Sequence, residues 1–295
     1  MAGPTPSDDD PWAGAPRRRG RRLPGLLAQA TALGGPAIVA SGPLGVGAAA
    51  LCSPGLRQLL RRPATQAGGE RLRLLSWNVE ATNDPAAVVA GVRAEPVDVA
   101  ALFELTTAML EALRTAGIPD AVSHTGRAAR GRWPPDYFGI ALLGPVVGVV
   151  HRIEATCAVR TELPIAGGDG RPAVLWAIRP TAPICSWRVA SWRAFWTEFD
   201  RRLTAEDPSR ALVVCGDLNS TIWHRPLQDL AQRHGLRSSR SGALGGTWRH
   251  PVLGWRATLD HVLVRGLAVR AAALADAHGS DHRPVVVDLE GWPLA

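Results

Sequence analysis

The sequence predicts an α/β fold: two sheets flanked by helices in one domain over about residues 71–291. Three observations carry that reading. From Arg71 onward, short apolar runs rich in β-branched residues alternate with segments of helical periodicity. Hydrophobic residues make up 46% and charged residues 20%, enough for a packed core and too apolar for a disordered chain. Polar and acidic residues recur where the apolar runs stop, which places a potential site at the strand ends.

In order, Arg71–Trp77 reads as a strand ending at Asn78, and Asp84-Pro85 as a helix start with a capping side chain and Pro in the first turn. Asp98–Phe103 is a strand apolar enough to be buried on both faces, ending in Glu104. Thr106 or Thr107 caps a helix that runs to about Thr115, and 120–136 reads as a loop. Phe138–Leu143, Val146–Ile153, Ala155–Arg160 and Ala173–Arg179 are β-rich. Ser191–Leu203 is an amphipathic helix that places Trp192, Phe195 and Trp196 in the core. Ala211–Cys215 is a strand, His224–His234 a helix, and Thr258–Val264 and Pro284–Leu289 closing strands.

The first seventy residues read separately. Residues 1–16 have the composition of a disordered tail, followed by Arg17, Arg18, Arg19, Arg21 and Arg22. No charge occurs from Leu23 to Leu56. A hydrophobic segment at about 23–56 behind a basic block suggests a membrane anchor or a cleaved export signal, and hence a domain that is membrane-anchored outside the cytoplasm or secreted. The net charge of +7 is uneven: residues 1–70 hold eight arginines against four acids. The main body is only mildly basic, so a polyanionic partner is allowed and not demanded. Every basic residue is Arg, which reads as coding bias. The four cysteines have no zinc-site spacing; Cys157–Cys185 is a candidate bridge for an exported domain.

Five segments gather the chemistry: Trp77-Asn78-Val79-Glu80, Phe103-Glu104-Leu105, Gly216-Asp217-Leu218-Asn219, Thr258-Leu259-Asp260-His261 and Gly279-Ser280-Asp281-His282. Each sets an acid, amide or imidazole beside an apolar run, where an ionised group needs a partner. A hard cation such as Mg²⁺ answers that need better than zinc. His278 and His282 have helical spacing, but Gly279-Ser280 between them argues against the helix that would aim both at one metal.

With Ser-Trp-Asn-Val, Gly-Asp-Leu-Asn, Leu-Asp-His-Val and Gly-Ser-Asp-His-Arg-Pro in this order, residues 71–291 resemble the endonuclease/exonuclease/phosphatase superfamily. The resemblance implies a four-layer α/β sandwich of two packed mixed sheets flanked by helices. It implies a monomeric hydrolase of phosphate esters using Mg²⁺, or Mn²⁺. The metal set it implies is Asn78, Glu104, Asp281 and Glu80. Asp217 matches the residue that activates water, Asn219 the amide that holds phosphate or nucleophile, Asp260 the partner of the catalytic histidine, and His282 the histidine that contacts the phosphate. The sequence departs from the family at Arg179 in Ile178-Arg179-Pro180, where relatives carry a histidine. Arg179 can clamp a phosphate but cannot shuttle a proton near neutral pH. The substrate stays open between DNA, for which Arg127–Trp133 is a candidate basic loop, and a phospholipid or inositol phosphate, for which Trp248–Trp255 is a candidate apolar loop. A catalytically impaired, membrane-tethered binding domain is the non-enzymatic alternative.

Overall fold

The computed structural model describes residues 53–65, 67–125, 139–240 and 245–293. Its centre is two strands from each half of the chain. Strand β1 (Arg71–Asn78) lies parallel to β2 (Val99–Phe103), with Asn78 level with Phe103. Helix α2 (Pro85–Ala94) makes the crossover; the Asp84 side chain accepts a hydrogen bond from Ala86 N, and Pro85 occupies the first turn. Helix α3 (Thr107–Thr115) follows β2, capped by Thr106 Oγ1 accepting from Met109 N. The second central pair is β7 (Pro172–Ile178) and β8 (Leu212–Asp217), also parallel, crossed over by α4 (Ser186–Thr204).

Alternation of side chains explains why these strands read as unbroken apolar runs. Leu72 and Leu74 of β1, Val99, Ala101 and Phe103 of β2, and Val213 and Cys215 of β8 enter one core between the two sheets. Leu75 and Trp77 of β1 and Ala100 and Leu102 of β2 face the other way, under α2 and α3. Leu212 and Val214 of β8 pack under α4 and α5 (Arg225–His234) with Trp192, Phe195, Trp196 and Phe199. Both faces of each sheet are covered, which removes the polar face of an ordinary half-exposed strand.

The remaining strands complete the layers. β3 (Asp120–His124), β4 (Ile140–Leu143), β13 (Ala268–Leu274) and β14 (Val285–Glu290) join the first sheet in the order β13-β14-β1-β2-β4-β3. β5 (Gly148–Ile153), β6 (Thr156–Ala166), β9 (Arg237–Ser238) and β12 (Asp260–Arg265) join the second in the order β5-β6-β7-β8-β12-β9. A two-stranded ribbon of β10 (Trp248–Arg249) and β11 (Arg256–Ala257) stands apart. Two mixed six-stranded sheets with helices on both outer faces form the four-layer α/β sandwich.

Several features differ from the sequence reading. Residues 120–124 form an edge strand where a loop is expected; its half-exposed polar residues carry no burial pattern, and pairing with β4 makes it a strand. β13 has no sequence signal because AVRAAAL is alanine-rich; pairing along β14 overrides local propensity. Helix α4 starts five residues before Ser191. The chain also joins the body ahead of residue 71. Helix α1 (Pro54–Leu60) buries Leu56 and Leu59, Ser53 Oγ donates to Gln228 Oε1 at 2.7 Å, and Ala64 bridges to Ala268. Residues 53–65 and 67–69 are therefore part of the packed structure and not of a leader. Cys157 and Cys185 are free thiols, so they form no bridge. Among the described residues no helix is long and apolar enough to cross a membrane. Residues 1–52 and the Arg127–Trp133 loop lie outside the described residues.

Candidate active site

Strand register brings the predicted residues together. β1 and β2 run parallel with Asn78 opposite Phe103, so Glu104 emerges one residue beyond, next to Asn78. β7 and β8 run parallel with Ala177 opposite Cys215, and two residues on come Arg179 and Asp217. β12 is antiparallel to β8 and pairs Asp260 with Asp217. β14 is antiparallel to β1 with Ser76 opposite Val285, so the segment that enters β14, Gly279–His282, arrives beside the end of β1. Each sheet thus delivers its polar strand ends to the same edge of the sandwich.

The contacts join the two sheets. Asn78 Nδ2 donates to Glu104 Oε1 at 2.9 Å and to Asp217 Oδ2 at 3.0 Å. Asp217 Oδ1 accepts from Asn219 N at 3.0 Å and its Oδ2 from Asn219 Nδ2 at 3.2 Å; that same Nδ2 donates to Pro180 O at 2.9 Å. His282 Nδ1 bonds Asp260 Oδ2 at 2.8 Å, and its Nε2 lies 3.7 Å from Asp281 Oδ1. The Arg179 guanidinium donates to Glu104 Oε1, with its Nε 3.8 Å from Asp217 Oδ2. Glu80 Oε2 accepts from Asp281 N at 2.9 Å. Asn78, Glu104, Arg179, Asp217, Asp260 and His282 are all buried.

The local backbone is bent to make this possible. Glu80, Glu104 and Asn219 have φ of 61°, 57° and 44°, the left-handed region that non-glycine residues seldom enter. Gly216 has φ 144°, and a Cβ there would meet Ile178 O at 1.9 Å. Only glycine lets β8 approach β7 closely enough to set Asp217 beside Arg179.

Electrostatics follow from burial. Desolvation raises the pKa of Asp217, reinforced by the Asp260 carboxylate and opposed by His282 and Arg179. Burial raises Asp281 to about 6, and the carboxylates of Glu80 and Glu104 add to the rise. Burial alone would lower His282, but the carboxylates of Asp260, Asp217 and Asp281 outweigh it and lift the imidazole to about 10. His261, buried with no carboxylate at hydrogen-bond distance, falls to about 4.

Five carboxyls, Glu80, Glu104, Asp217, Asp260 and Asp281, gather with the Arg179 guanidinium and the His282 imidazole, and Arg240 and His261 lie within electrostatic reach of Asp260 and Asp217. Oxygen donors with an excess of negative charge fit a hard divalent cation. Glu104 Oε1 is already held by Arg179 and Asn78, while Oε2 accepts only a 3.4 Å bond from Ala81 N. Ligand atoms of Asp217, Asp260 and His282 also lie within 4.8 Å of one another, though the last two are engaged with each other. His278 packs edge-on against Trp77 and is not part of this group.

Three supporting residues have no individual role in the sequence reading, although Ser280 stands in a named segment and Trp248 opens the candidate apolar loop. Thr247 Oγ1 accepts from the amides of Leu259 and Asp260, both at 3.0 Å, and fixes the start of β12. Ser280 Oγ donates to Asn78 O at 2.8 Å and accepts from His282 N at 3.0 Å, tying the loop to β1. Trp248 Nε1 donates to Asp281 Oδ2 at 2.7 Å. Ser280 was visible within its motif; Thr247 carried no signal, because its role depends on a contact twelve residues away.

Comparison with known proteins agrees with this fold. No curated protein matches the chain in sequence. An endonuclease/exonuclease/phosphatase protein from Beutenbergia cavernae DSM 12333 superposes with a TM-score of 0.58 at 18% identity, over 75% of this chain and 72% of that one. D. rerio TDP2, complexed with a single-strand DNA product, gives 0.58 at 15% identity over 75% and 99%. The human Nocturnin catalytic domain, with bound sulfate, gives 0.54 at 18% over 78% and 99%. These likenesses show the fold. The sequence pattern of the Endonuclease/Exonuclease/phosphatase family matches residues 75–282, more than half of the chain, and spans every polar strand end described above. The protein belongs to the endonuclease/exonuclease/phosphatase family, a superfamily of phosphoester hydrolases.

Proposed function

We propose that the protein is a divalent-metal-dependent phosphodiester hydrolase acting outside the cytoplasm. One observation carries the reading: Asn78 Nδ2 reaches both Glu104 of the first sheet and Asp217 of the second, beside a buried Asp260–His282 pair. A structural hydrogen-bond network would not need five carboxyls gathered around a single bonded cluster.

Glu104, Asn78, Asp281 and Glu80 would hold Mg²⁺ or Mn²⁺. Such an ion, when bound, polarises a phosphoryl oxygen and offsets the charge that develops on it. Asp217 takes the proton of the attacking water; burial has raised its pKa toward that of a useful general base. The water oxygen bonds to phosphorus as the ester P–O bond breaks. Asn219 positions Asp217, since both its backbone N and its Nδ2 are committed to that carboxylate and to Pro180 O. The phosphate contact therefore falls to His282, whose Nε2 carries a proton held there by Asp260, while Arg179 stays on Glu104. Arg179 cannot protonate the leaving oxygen, so that proton comes from solvent.

A second reading, a binding domain that turns nothing over, is favoured by the Arg179 guanidinium on Glu104 Oε1. A panel separates the readings: duplex and single-stranded DNA, an abasic duplex, sphingomyelin and inositol phosphates, each with Mg²⁺ or Mn²⁺. Metal-dependent turnover of at least one diester is expected. Metal binding with no turnover on any of them would support the binding domain.

A further inference from the structure

We infer that the three loops around the site form a docking face for an anionic lipid surface. Among the described residues ten large hydrophobic side chains are exposed, and six of them sit on these loops or on the first turn of α4 that continues one of them: Ile184, Trp187, Trp223, Val252, Leu253 and Trp255. Each loop starts at the site. Residues 180–190 follow Arg179, and Pro180 O accepts from Asn219. Residues 218–225 begin at Asp217 and Asn219. Residues 246–259 form the β10–β11 ribbon, which bonds Asp281 through Trp248 Nε1 and bridges to His282.

Charge points the same way. None of the three loops contains Asp or Glu, in a chain with 26 acids. They carry Arg188, Arg225, Arg249 and Arg256, the last three exposed. Arg225 spends part of its charge on Asp229, and Arg188 lies over the Trp187 ring at 5.1 Å. Single-stranded nucleic acid would also accept tryptophan and arginine, but it stacks on rings and gains nothing from exposed aliphatic tips. Val252 is 84% and Leu253 52% exposed at the turn of a short ribbon, Pro251-Val252-Leu253-Gly254. Aliphatic side chains at a projecting turn, tryptophan behind them and arginine at the flanks are the distribution that enters the boundary between headgroups and acyl chains. The rest of the sandwich has no comparable cluster among its described residues; Val147 and Val149 are its nearest equivalent, on the far strand β5 and the turn before it.

This surface is independent of the hydrolytic reading, and binding is measured without turnover, so either can fail alone. The full chain is mixed with vesicles of phosphatidylcholine, with and without phosphatidylglycerol, and pelleted. Binding to the anionic vesicles should exceed binding to the neutral ones by ~10-fold or more. The Val252→Asp/Leu253→Asp variant should weaken it at least ~10-fold, and Arg249→Glu/Arg256→Glu should erase the anionic preference. Val147→Asp/Val149→Asp, equally exposed, should change nothing. All these positions are solvent-exposed, and unchanged melting temperatures verify folding. Vesicle binding that the loop variants leave intact would assign attachment to residues 1–52 and overturn the proposal. An equal loss in the Val147/Val149 variant would overturn it too, as would a single-stranded oligonucleotide, and not vesicles, binding through these loops.

Discussion

At the scale of single residues, the departure at Arg179 matters most. Its guanidinium holds the Glu104 carboxylate that the proposed metal would need, so the two cations would compete for one buried acid. In Arg179→His the Mg²⁺ dissociation constant measured by calorimetry should fall ~10-fold, which corresponds to about 1.4 kcal/mol. Turnover should be unchanged or higher. Weaker Mg²⁺ binding together with collapsed activity would show that Arg179 is a phosphate ligand and not a competitor. His282 gives a second test. Its folded-state pKa is raised to about 10 above an unfolded value near 6.5. The stability it contributes is thus fully present below pH 6.5 and lost as pH rises through about 10. Groups that titrate alike in both proteins cancel in the difference, and burial holds the Cys215 thiol up at about 12. In urea melts of the metal-free protein, the stability gap between wild type and His282→Gln should shrink from pH 7 to pH 10.5. A constant gap would refute the charged imidazole.

At the scale of elements, the glycine turns decide whether the strand ends meet. Gly216 admits the approach of β8 to β7; Gly216→Ala should lower the unfolding free energy by ~3 kcal/mol or more, read from denaturant melts. A loss below 1 kcal/mol would mean that the backbone relaxes without its constraint. The elements differ in how legible they are. The central strands announce themselves, because burial on both faces demands continuous apolar residues. Helix starts at Asp84 and Thr106 were readable because capping is local chemistry. The edge strand at Asp120–His124 and the alanine-rich β13 were not, since only their sheet partners make them strands. Helix α1 was hidden for another reason: it continues a charge-free run, and only its contacts with α5 and β9 separate the two.

At the scale of the whole molecule, four layers serve to bring two strand edges into register. Residues as distant as Asn78 and Asp217, 139 positions apart, share a hydrogen bond because each ends a central parallel strand. Their residue types and strand-end positions were readable from the sequence, and the pairing of Asp260 with His282 was implied by the family resemblance. The placement of Arg179 on Glu104, and the commitment of the Asn219 amide to Asp217, were not. Both depend on which groups lie within 3–4 Å once the sheets pack, and no spacing along the chain encodes that.

The central claim is that this shared edge hydrolyses a phosphoester with Asp217 as base and His282 as hydrogen-bond donor to the phosphate. Single-turnover rates of Asp217→Asn and His282→Gln, on whichever diester the wild type cleaves with Mg²⁺ or Mn²⁺, test it most directly. Each variant should fold normally, judged by near-ultraviolet circular dichroism, and lose at least ~10²-fold in rate. Wild-type rates in both folded variants would contradict the account.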